Sequence, residues 1–207
     1  MNTLEKRILE ISYKQKLSHI GSCLVSANII DKIYQVKKKD EPFILSNGHA
    51  GLALYVCLEK WEGKNAEELA GKHGTHPNRD AEDGIWASTG SLGQGLPIAL
   101  GMAIADRSKL VYCLISDGEC AEGSVWEALQ IAADLRLENL RVSCVANGYG
   151  GYSKIDVDDL DTRLNAFYPT MVFRVNLFGM PNWIQGLNGH YAVMTDEQYG
   201  GVSNEKD

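Results

Sequence analysis

Asp117-Gly118 and Asn147-Gly148 are two of the residue pairs in this 207-residue chain that place an oxygen donor beside a glycine. Carboxylate and amide oxygens are ligands that Mg²⁺ and Ca²⁺ prefer in proteins. A glycine lets the backbone come close to a bound group, and backbone N–H groups bind phosphates well. If the two pairs lie together, they favour a divalent cation that holds a phosphate.

The elements around the two pairs predict that they meet. Val111–Ser116 and Leu140–Ala146 are apolar runs typical of strands buried on both faces, and each ends just before one pair. The intervening segment 124–137 has the apolar spacing of a helix. Its predicted core face consists of Val125, Ala128, Leu129, Ala132 and Leu135. A strand–helix–strand unit of this length joins parallel strands, so both pairs are expected at the carboxyl edge of one sheet, where such sheets bind ligands.

A structural role for these pairs remains an alternative, because Asp-Gly and Asn-Gly also form ordinary turns at strand ends. The glycine-rich segment STGSLGQG at 88–95 also has both a ligand-binding and a purely structural interpretation. It precedes a predicted helix at 96–106. It matches neither the dinucleotide fingerprint nor a P-loop. Its glycines permit a tight loop whose backbone contacts a flat ligand, or simply a turn into the helix.

Composition and charge indicate which partners and which compartment are expected. The chain is 44% hydrophobic, which suits one sizeable core, and its net charge is −7, so nucleic acid is not expected as a partner. No apolar run is long enough to span a membrane, and the N-terminus lacks the hydrophobic core of a signal peptide. The five cysteines contain no C-x-x-C pair, which favours free thiols in a reducing cytoplasm.

Helical spacing predicts three further helices. The first lies at the N-terminus, where Leu4, Ile8 and Ile11 have the spacing of an amphipathic helix, the second at 22–34 with Ser22 as its cap, and the third at 50–61. Residues 42–45 are interpreted as the approach to a turn at Asn47-Gly48.

The last quarter of the chain has weaker signals. The glycines after Asn147 and the acidic stretch 156–161 are interpreted as an excursion over the surface. Residues 171–175 are predicted to form a strand, and the tail from Gly179 is predicted to be coil.

Five segments, in order along the chain, resemble the diphosphate-binding domain of the transketolase family. They are KLSHIGS at 16–22, FILSNGHAG at 43–51, GTHPNRD at 74–80, STGSLGQG at 88–95 and the unit from Asp117 to Asn147. The resemblance covers most of residues 1–156. It implies a single diphosphate-binding domain over 1–207, shortened from about residue 157. The implied fold is α/β, with three layers: a mainly parallel sheet with helices on both faces.

The resemblance also implies a cofactor, thiamine diphosphate, held through Mg²⁺ or Ca²⁺. Its metal ligands would be Asp117, Asn147 and the backbone carbonyl of Tyr149. Asn147 would also contact the cofactor itself. The other implied contacts to the cofactor are Gly90 and Leu92 at the aminopyrimidine ring and Gly118 at the diphosphate.

Four histidines match positions at which the family places imidazoles. A lone loop histidine is usually a surface residue, but His19, His49 and His76 align with family histidines that face the substrate or the diphosphate. His190 is similar to the last histidine of that set. The resemblance implies catalytic roles for His19 and His76 and cofactor binding for His49 and His190. Imidazoles donate hydrogen bonds to sugar hydroxyls or move protons.

The family activates its cofactor with a glutamate from a second, pyrimidine-binding domain, and no such domain follows in this sequence. The expectation is therefore the N-terminal subunit of a split transketolase, paired with a C-terminal pyrimidine-binding subunit in an α₂β₂ heterotetramer. Glu122 is implied to cross that interface and to position the partner's glutamate. Its alternative role is that of an ordinary acidic residue at a helix N-terminus.

Three functions remain open from the sequence. The first is transfer of a two-carbon ketol unit between sugar phosphates in the cytoplasm. The second is a subunit of another thiamine diphosphate enzyme, similar to 1-deoxyxylulose-phosphate synthase or to a 2-oxoacid dehydrogenase component. The third is a non-catalytic domain of the same fold that binds a partner. The histidine set argues against the second function, and together with Asp117 and Asn147 it argues against the third.

Overall fold

The structure, a computed structural model, describes residues 1–150, 153–175, 181–184 and 190–203. The chain divides into two compact units. The first contains Met1–Tyr34, His49–His76 and Leu177–Asp207, and the second contains Gln35–Gly48 and Pro77–Asn176. That the whole chain acts as one domain over 1–207 stays a prediction.

Helices are the main elements of the described residues. Those with described bounds are, in chain order, α1 (Thr3–Gln15), α2 (Ile20–Val36), α3 (Gly51–Glu62), α4 (Ala66–His73), α5 (Gly95–Ala105), α6 (Gly123–Asp134), α7 (Val157–Phe167) and α8 (Asp196–Ser203). Within the part of the chain that is described, none of them combines the length and hydrophobicity needed to cross a bilayer.

A parallel sheet forms the centre of the second unit. Its strands, in spatial order, are β1 (Phe43–Leu45), β2 (Val111–Ser116), β3 (Leu140–Ala146) and β4 (Thr170–Arg174). Every neighbouring pair is parallel. Every residue of β2 is buried, as a strand covered on both sides requires. The prediction of an α/β fold with a parallel sheet flanked by helices is confirmed.

Helices α5, α6 and α7 supply the apolar side chains that cover this sheet. Four of the five residues predicted for the core face of α6 are buried, but Leu135 is 41% exposed. The predicted helix was too long, because α6 ends at Asp134. Arg136 then adopts a left-handed φ of 48°, and the Leu137 N–H bonds back to the Ala132 carbonyl.

The first unit is helical. α1 packs against α3, α4 and α8, and it buries Ile8 and Ile11 as the amphipathic spacing predicts. Arg7 of α1 joins the helices by donating to the Glu59 carboxylate of α3, with an Nε–Oε2 distance of 2.9 Å.

Two local predictions in the first 50 residues were wrong. Ser22 does not cap α2, because the helix begins at Ile20 and its first bond runs from the Cys23 N–H to the His19 carbonyl. Residues 43–45 form a strand of the sheet, β1, and not merely the approach to a turn. Three residues are too few for a periodic pattern to identify a strand.

Near the C-terminus one prediction was incomplete and one was wrong. The acidic stretch at 156–161 lies at the surface, with Asp156, Asp158 and Asp159 exposed, but it also begins helix α7, whose first N–H groups are capped by the Asp156 carboxylate. The predicted coil contains helix α8. Gly179, where that coil was expected to begin, lies outside the described residues.

Candidate functional site

The carboxyl ends of β2 and β3 bring the two oxygen-donor pairs together. Ser116 pairs with Val145 in the register of the sheet, and the Asp117 N–H donates to the Val145 carbonyl over 3.0 Å. Asp117 and Asn147 therefore follow adjacent parallel strands at one edge, as the strand–helix–strand pattern predicts.

The Asp117 carboxylate is buried, with an exposed fraction of 3%. Its Oδ2 accepts hydrogen bonds from the N–H groups of Asn147 and Gly148, both at 2.8 Å, and its Oδ1 accepts one from Gly118 at 3.0 Å. Burial raises the pKa of this carboxyl group, and hydrogen bonds from backbone N–H groups act in the opposite direction. A carboxylate has about four acceptor positions, so one remains for a ligand.

The Asn147 side chain and the Tyr149 backbone complete a set of hard oxygen donors. Asn147 Oδ1 accepts the Tyr149 N–H at 2.9 Å, which folds residues 147–149 into a turn. The Tyr149 side chain is 44% exposed, so its backbone carbonyl is the donor of interest. A carboxylate, an amide oxygen and a peptide carbonyl suit Mg²⁺ or Ca²⁺ better than softer metals.

The glycine-rich loop at 88–95 lies against the end of β1. A Cβ atom at Gly48 would come within 2.6 Å of the Gly90 nitrogen, and one at Gly95 would lie 2.5 Å from the Ser46 Cα. Gly90 has a φ of 148°, which favours glycine. These close approaches give Gly48 and Gly95 a packing role.

The same loop contains a polar atom that the fold leaves unsatisfied. The Thr89 hydroxyl is buried and lacks a hydrogen-bond partner among the described residues. Buried polar groups are usually paired, so an unpaired one next to Gly90 is consistent with a ligand at this backbone. Leu92, the other residue assigned to the aminopyrimidine ring, is half-buried in the same loop.

Glu119 connects these parts, and sequence reasoning missed it. The residue is fully buried. Its Oε1 accepts from the Ser46 hydroxyl at 2.6 Å and from the Gly93 N–H at 2.9 Å. Its Oε2 accepts from the Ser116 N–H at 2.9 Å and the Ser116 hydroxyl at 3.4 Å. The carboxylate thus joins the ends of β1 and β2 to the glycine-rich loop. The only indication in the sequence was an acidic residue in a segment that is otherwise expected to be buried.

Glu122 lies at the beginning of α6 with an exposed side chain. Its carboxylate does not cap the helix, because no side-chain hydrogen bond reaches the first turn. Gly93 packs against the base of this side chain, since a Cβ there would lie 2.7 Å from the Glu122 Cβ.

Four histidines cluster in the first unit. The His19 ring centroid lies 5.5 Å from that of His49, 6.1 Å from that of His76 and 4.4 Å from that of His190. The rings of His49 and His190 are 5.3 Å apart. His49 lies in the 3₁₀ turn Gly48–Ala50 directly before α3, and His76 is exposed. The four predicted histidines therefore form one group.

His19 is held in an uncommon conformation. Its φ is 63°, which costs a side chain other than glycine roughly 1–2 kcal/mol. Its N–H donates to the His190 carbonyl at 3.0 Å, and its Nδ1 lies 2.7 Å from the Ser18 hydroxyl. Strained residues that their surroundings fix in this way are concentrated at functional sites. Ser18 was not among the predicted site residues.

Burial keeps the imidazoles of His19 and His49 neutral. Burial and, to a smaller extent, the neighbouring histidines lower the pKa of His49 to about 3 and that of His19 to about 4. Burial also lowers the pKa of His190. A neutral imidazole carries one donor and one acceptor nitrogen, so it can both donate and accept a hydrogen bond.

Each of the two units contains some of the predicted site residues. The first unit holds the histidine cluster, and the second holds the loop residues, Glu122 and the oxygen-donor pairs. Tyr191 is an aromatic neighbour of the cluster that the sequence did not indicate, with its ring centroid 4.7 Å from that of His190.

Known proteins resemble this chain in sequence and in fold. Residues 13–168 match the family model described as "Transketolase, thiamine diphosphate binding domain". One of the subunits of the apulose-4-phosphate transketolase of Phocaeicola vulgatus is 34% identical over 155 residues, which cover 65% of this chain and 55% of that protein. The 6-deoxy-6-sulfo-D-fructose transketolase subunit SqwG of a Clostridium species is 31% identical over 227 residues, covering 99% of this chain and 78% of that protein.

The fold is shared with a much longer solved protein. Transketolase from Leishmania mexicana superimposes with a TM-score of 0.75 at 22% identity, over 98% of this chain and 41% of that chain. This chain therefore spans only part of these relatives, 55% of the Phocaeicola protein and less than half of the Leishmania enzyme. The matched region runs through the segments that bear His19, His49 and His76, the glycine-rich loop and both oxygen-donor pairs, and by that match the chain belongs to the transketolase family, as a thiamine diphosphate binding domain.

Proposed function

We propose that this chain is the diphosphate-binding subunit of a thiamine diphosphate-dependent transketolase, which transfers a two-carbon ketol unit between sugar phosphates. One observation on this family member carries the proposal. The buried Asp117 carboxylate accepts hydrogen bonds from the N–H groups of the Asn147-Gly148 turn and has one acceptor position left for a cation. Relatives named as transketolase subunits support the same activity.

Cofactor binding is assigned to the oxygen donors and the glycine-rich loop. Asp117, Asn147 and the Tyr149 carbonyl would hold Mg²⁺ or Ca²⁺, whose charge offsets that of the diphosphate in an acidic chain. The Gly118 N–H would donate to the diphosphate. The other contacts proposed for the cofactor are Gly90, Leu92, His49 and His190.

Substrate chemistry is assigned to two of the histidines. Bound thiamine diphosphate supplies an electron sink for the charge that develops when the ketol unit leaves its donor. His19 and His76 would orient the sugar through its hydroxyls and move protons at its hydroxyl and carbonyl oxygens. A neutral His19 suits the orienting part of this role, because its ring both donates and accepts hydrogen bonds.

A separate pyrimidine-binding subunit is the proposed partner, in an α₂β₂ assembly. Relatives named as single subunits of transketolases support a partner, because such a name implies at least one other chain. Glu122 is proposed to reach the partner, since its exposed carboxylate is not used to cap α6. We further propose a cytoplasmic location, which the five buried, unpaired thiols support because reduced cysteines persist in a reducing compartment.

The test is a titration of thiamine diphosphate into the complex of this chain with its partner, with and without Mg²⁺. Asp117→Ala should weaken Mg²⁺-dependent binding of the cofactor at least about 10–100-fold. A loss of this size is typical even when the residue removed only hydrogen-bonds to a metal ligand. Asp134→Ala removes an exposed carboxylate at the end of α6 and should have no effect. Unchanged cofactor affinity in Asp117→Ala would refute the metal assignment.

A further inference from the structure

Tyr191 places an aromatic ring at the histidine cluster. Its centroid lies 4.7 Å from that of His190, with the planes at 88°, and 5.8 Å from that of His19, at 72°. Both contacts are edge-to-face pairs, the arrangement that aromatic rings prefer. The tyrosine nevertheless remains 74% exposed within this chain.

The segment that carries Tyr191 is anchored on both sides. Before it, the His190 carbonyl accepts the His19 N–H at 3.0 Å. After it, Met194 is buried, and Asp196 accepts a hydrogen bond from the Tyr13 hydroxyl at 2.9 Å. The ring is therefore held at the cluster, and its position does not depend on burial of the ring itself.

A polyhydroxylated substrate presents two kinds of surface. Its hydroxyl groups match the donors and acceptors of the imidazoles, whereas the C–H groups of its carbon chain have no polar partner. Small-molecule sites commonly combine a few polar groups with aromatic side chains that cover the apolar parts of the ligand. In the described part of the cluster, Tyr191 is an exposed ring beside two imidazoles.

We propose that Tyr191 is a specificity-determining residue, whose ring covers the C–H groups of the sugar chain that the histidines bind through its hydroxyls. This inference rests on the proposed function. It assigns the contact to the ring and not to the phenol hydroxyl. Donors with a long polyol chain therefore depend on Tyr191, while a donor without such a chain does not.

The test compares two ketol donors in the reconstituted complex: fructose 6-phosphate, which has a polyol chain, and hydroxypyruvate, which has none. Tyr191→Ala should raise KM for fructose 6-phosphate about five- to tenfold, the effect of losing one aromatic contact, with kcat nearly unchanged. Its kinetics with hydroxypyruvate and its affinity for thiamine diphosphate should equal those of the wild type. Tyr191→Phe should behave as the wild type with both donors.

Trp61→Ala is the matched control. Trp61 is also exposed, at 41%, but it lies near the far end of α3, about 18 Å along the helix from His49. This variant should keep wild-type kinetics with both donors.

Several results would overturn the inference. An unchanged KM for fructose 6-phosphate in Tyr191→Ala, or an equal loss with hydroxypyruvate, would refute a contact with the polyol chain. If Tyr191→Ala failed to assemble with the partner chain in size-exclusion chromatography, Tyr191 would be an interface residue instead. If the wild-type complex turned over neither donor, the proposed function would fail and this inference with it. If the wild-type complex turns over both donors, a negative result with the variants refutes only the inference about Tyr191.

Discussion

At the scale of single residues, the proposed chemistry depends on imidazoles that stay neutral while lying against one another. Burial is the larger cause of the lowered pKa values of His19 and His49, and the neighbouring histidines add to it. A proton entering the cluster would meet both a desolvation cost and repulsion from any second charge. Neutral rings can therefore exchange donor and acceptor roles with a sugar at pH 7.

This neutrality predicts that stability falls on acidification. The folded-state pKa values of about 4 for His19 and about 3 for His49 lie below the ordinary value of 6.5. Between these values and pH 6.5 the unfolded chain binds more protons, so the free energy of unfolding decreases as the pH falls through this window. The contribution is complete above pH 6.5.

Urea denaturation from pH 7 to pH 4.5 measures this slope. The double variant His19→Asn, His49→Asn should have a flatter profile than the wild type, by less than about 1.4 kcal/mol per pH unit for each imidazole because both are partly exposed. Identical slopes for the two proteins would contradict the account of the cluster.

The substrate histidines should affect activity and not the fold. His19→Asn and His76→Asn should lower kcat/KM for a ketose donor roughly 10²–10⁴-fold, the usual loss for a positioned acid–base group. Asparagine is the better replacement at position 19, because it tolerates the left-handed φ of 63°.

Steady-state kinetics and thermal melting of the same samples give the measurement. Melting temperature and cofactor affinity should change little, and His73→Asn should serve as an active control. If the His19 and His76 variants unfold but the folded fraction keeps full specific activity, both histidines are structural.

At the scale of elements, Glu119 determines how the glycine-rich loop and the ends of β1 and β2 are held together. Four hydrogen-bond donors converge on its two oxygens. A glutamine side chain has one carbonyl oxygen, and its NH₂ group would face hydrogen-bond donors. At least one of the buried donors would therefore lose its acceptor. Glu119→Gln should therefore lower the free energy of unfolding by about 1–3 kcal/mol.

Glu127→Gln is the control for this change, because Glu127 is an exposed residue of α6. Equal unfolding free energies for the two variants in urea would show that the Glu119 carboxylate does not stabilise this region.

Two glycines of the same helix, α5, should respond in opposite ways to alanine. A Cβ at Gly95 would lie 2.5 Å from the Ser46 Cα, whereas one at Gly101 would meet no atom within 4 Å. Gly95→Ala should cost about 1–3 kcal/mol through overpacking. Gly101→Ala should stabilise by up to about 1 kcal/mol, because alanine loses less conformational freedom in a helix. Equal effects in thermal melts would contradict the close approach of the loop to β1.

The elements that sequence predicts best are those with a uniform local signal. β2 and β3 were predicted with their observed bounds, because a strand buried on both faces is a continuous apolar run. β1 has only three residues, and α7 has an acidic, mostly exposed sequence, so their positions depend on tertiary contacts.

The candidate site follows the same rule. Asp117 and Asn147 were predicted to meet because each directly follows a recognisable strand. The resemblance to a known family assigned the histidines, since single loop histidines carry no periodic signal. Tyr191 and His19 are 172 positions apart, and Glu119 acquires its meaning only when Ser46 and Gly93 reach it. Such long-range contacts have no counterpart in local sequence.

At the scale of the whole molecule, the chain spans 55% of the Phocaeicola protein and 41% of the Leishmania transketolase. We expect the isolated chain to bind thiamine diphosphate weakly, because the group proposed to activate the cofactor is assigned to the partner. Calorimetric titration of the chain alone and of the complex checks this expectation. Equally tight binding by the chain alone would contradict it.

Ketol transfer from fructose 6-phosphate to an aldose acceptor, measured with thiamine diphosphate and Mg²⁺, tests the central proposal most directly. The assay compares this chain, its pyrimidine-binding partner and their mixture, with Asp117→Ala in place of the wild type as a further sample. Turnover is expected only in the mixture that contains wild-type Asp117. Steady turnover by this chain alone, with contaminating enzyme excluded, or no turnover by a mixture that binds the cofactor, would contradict it.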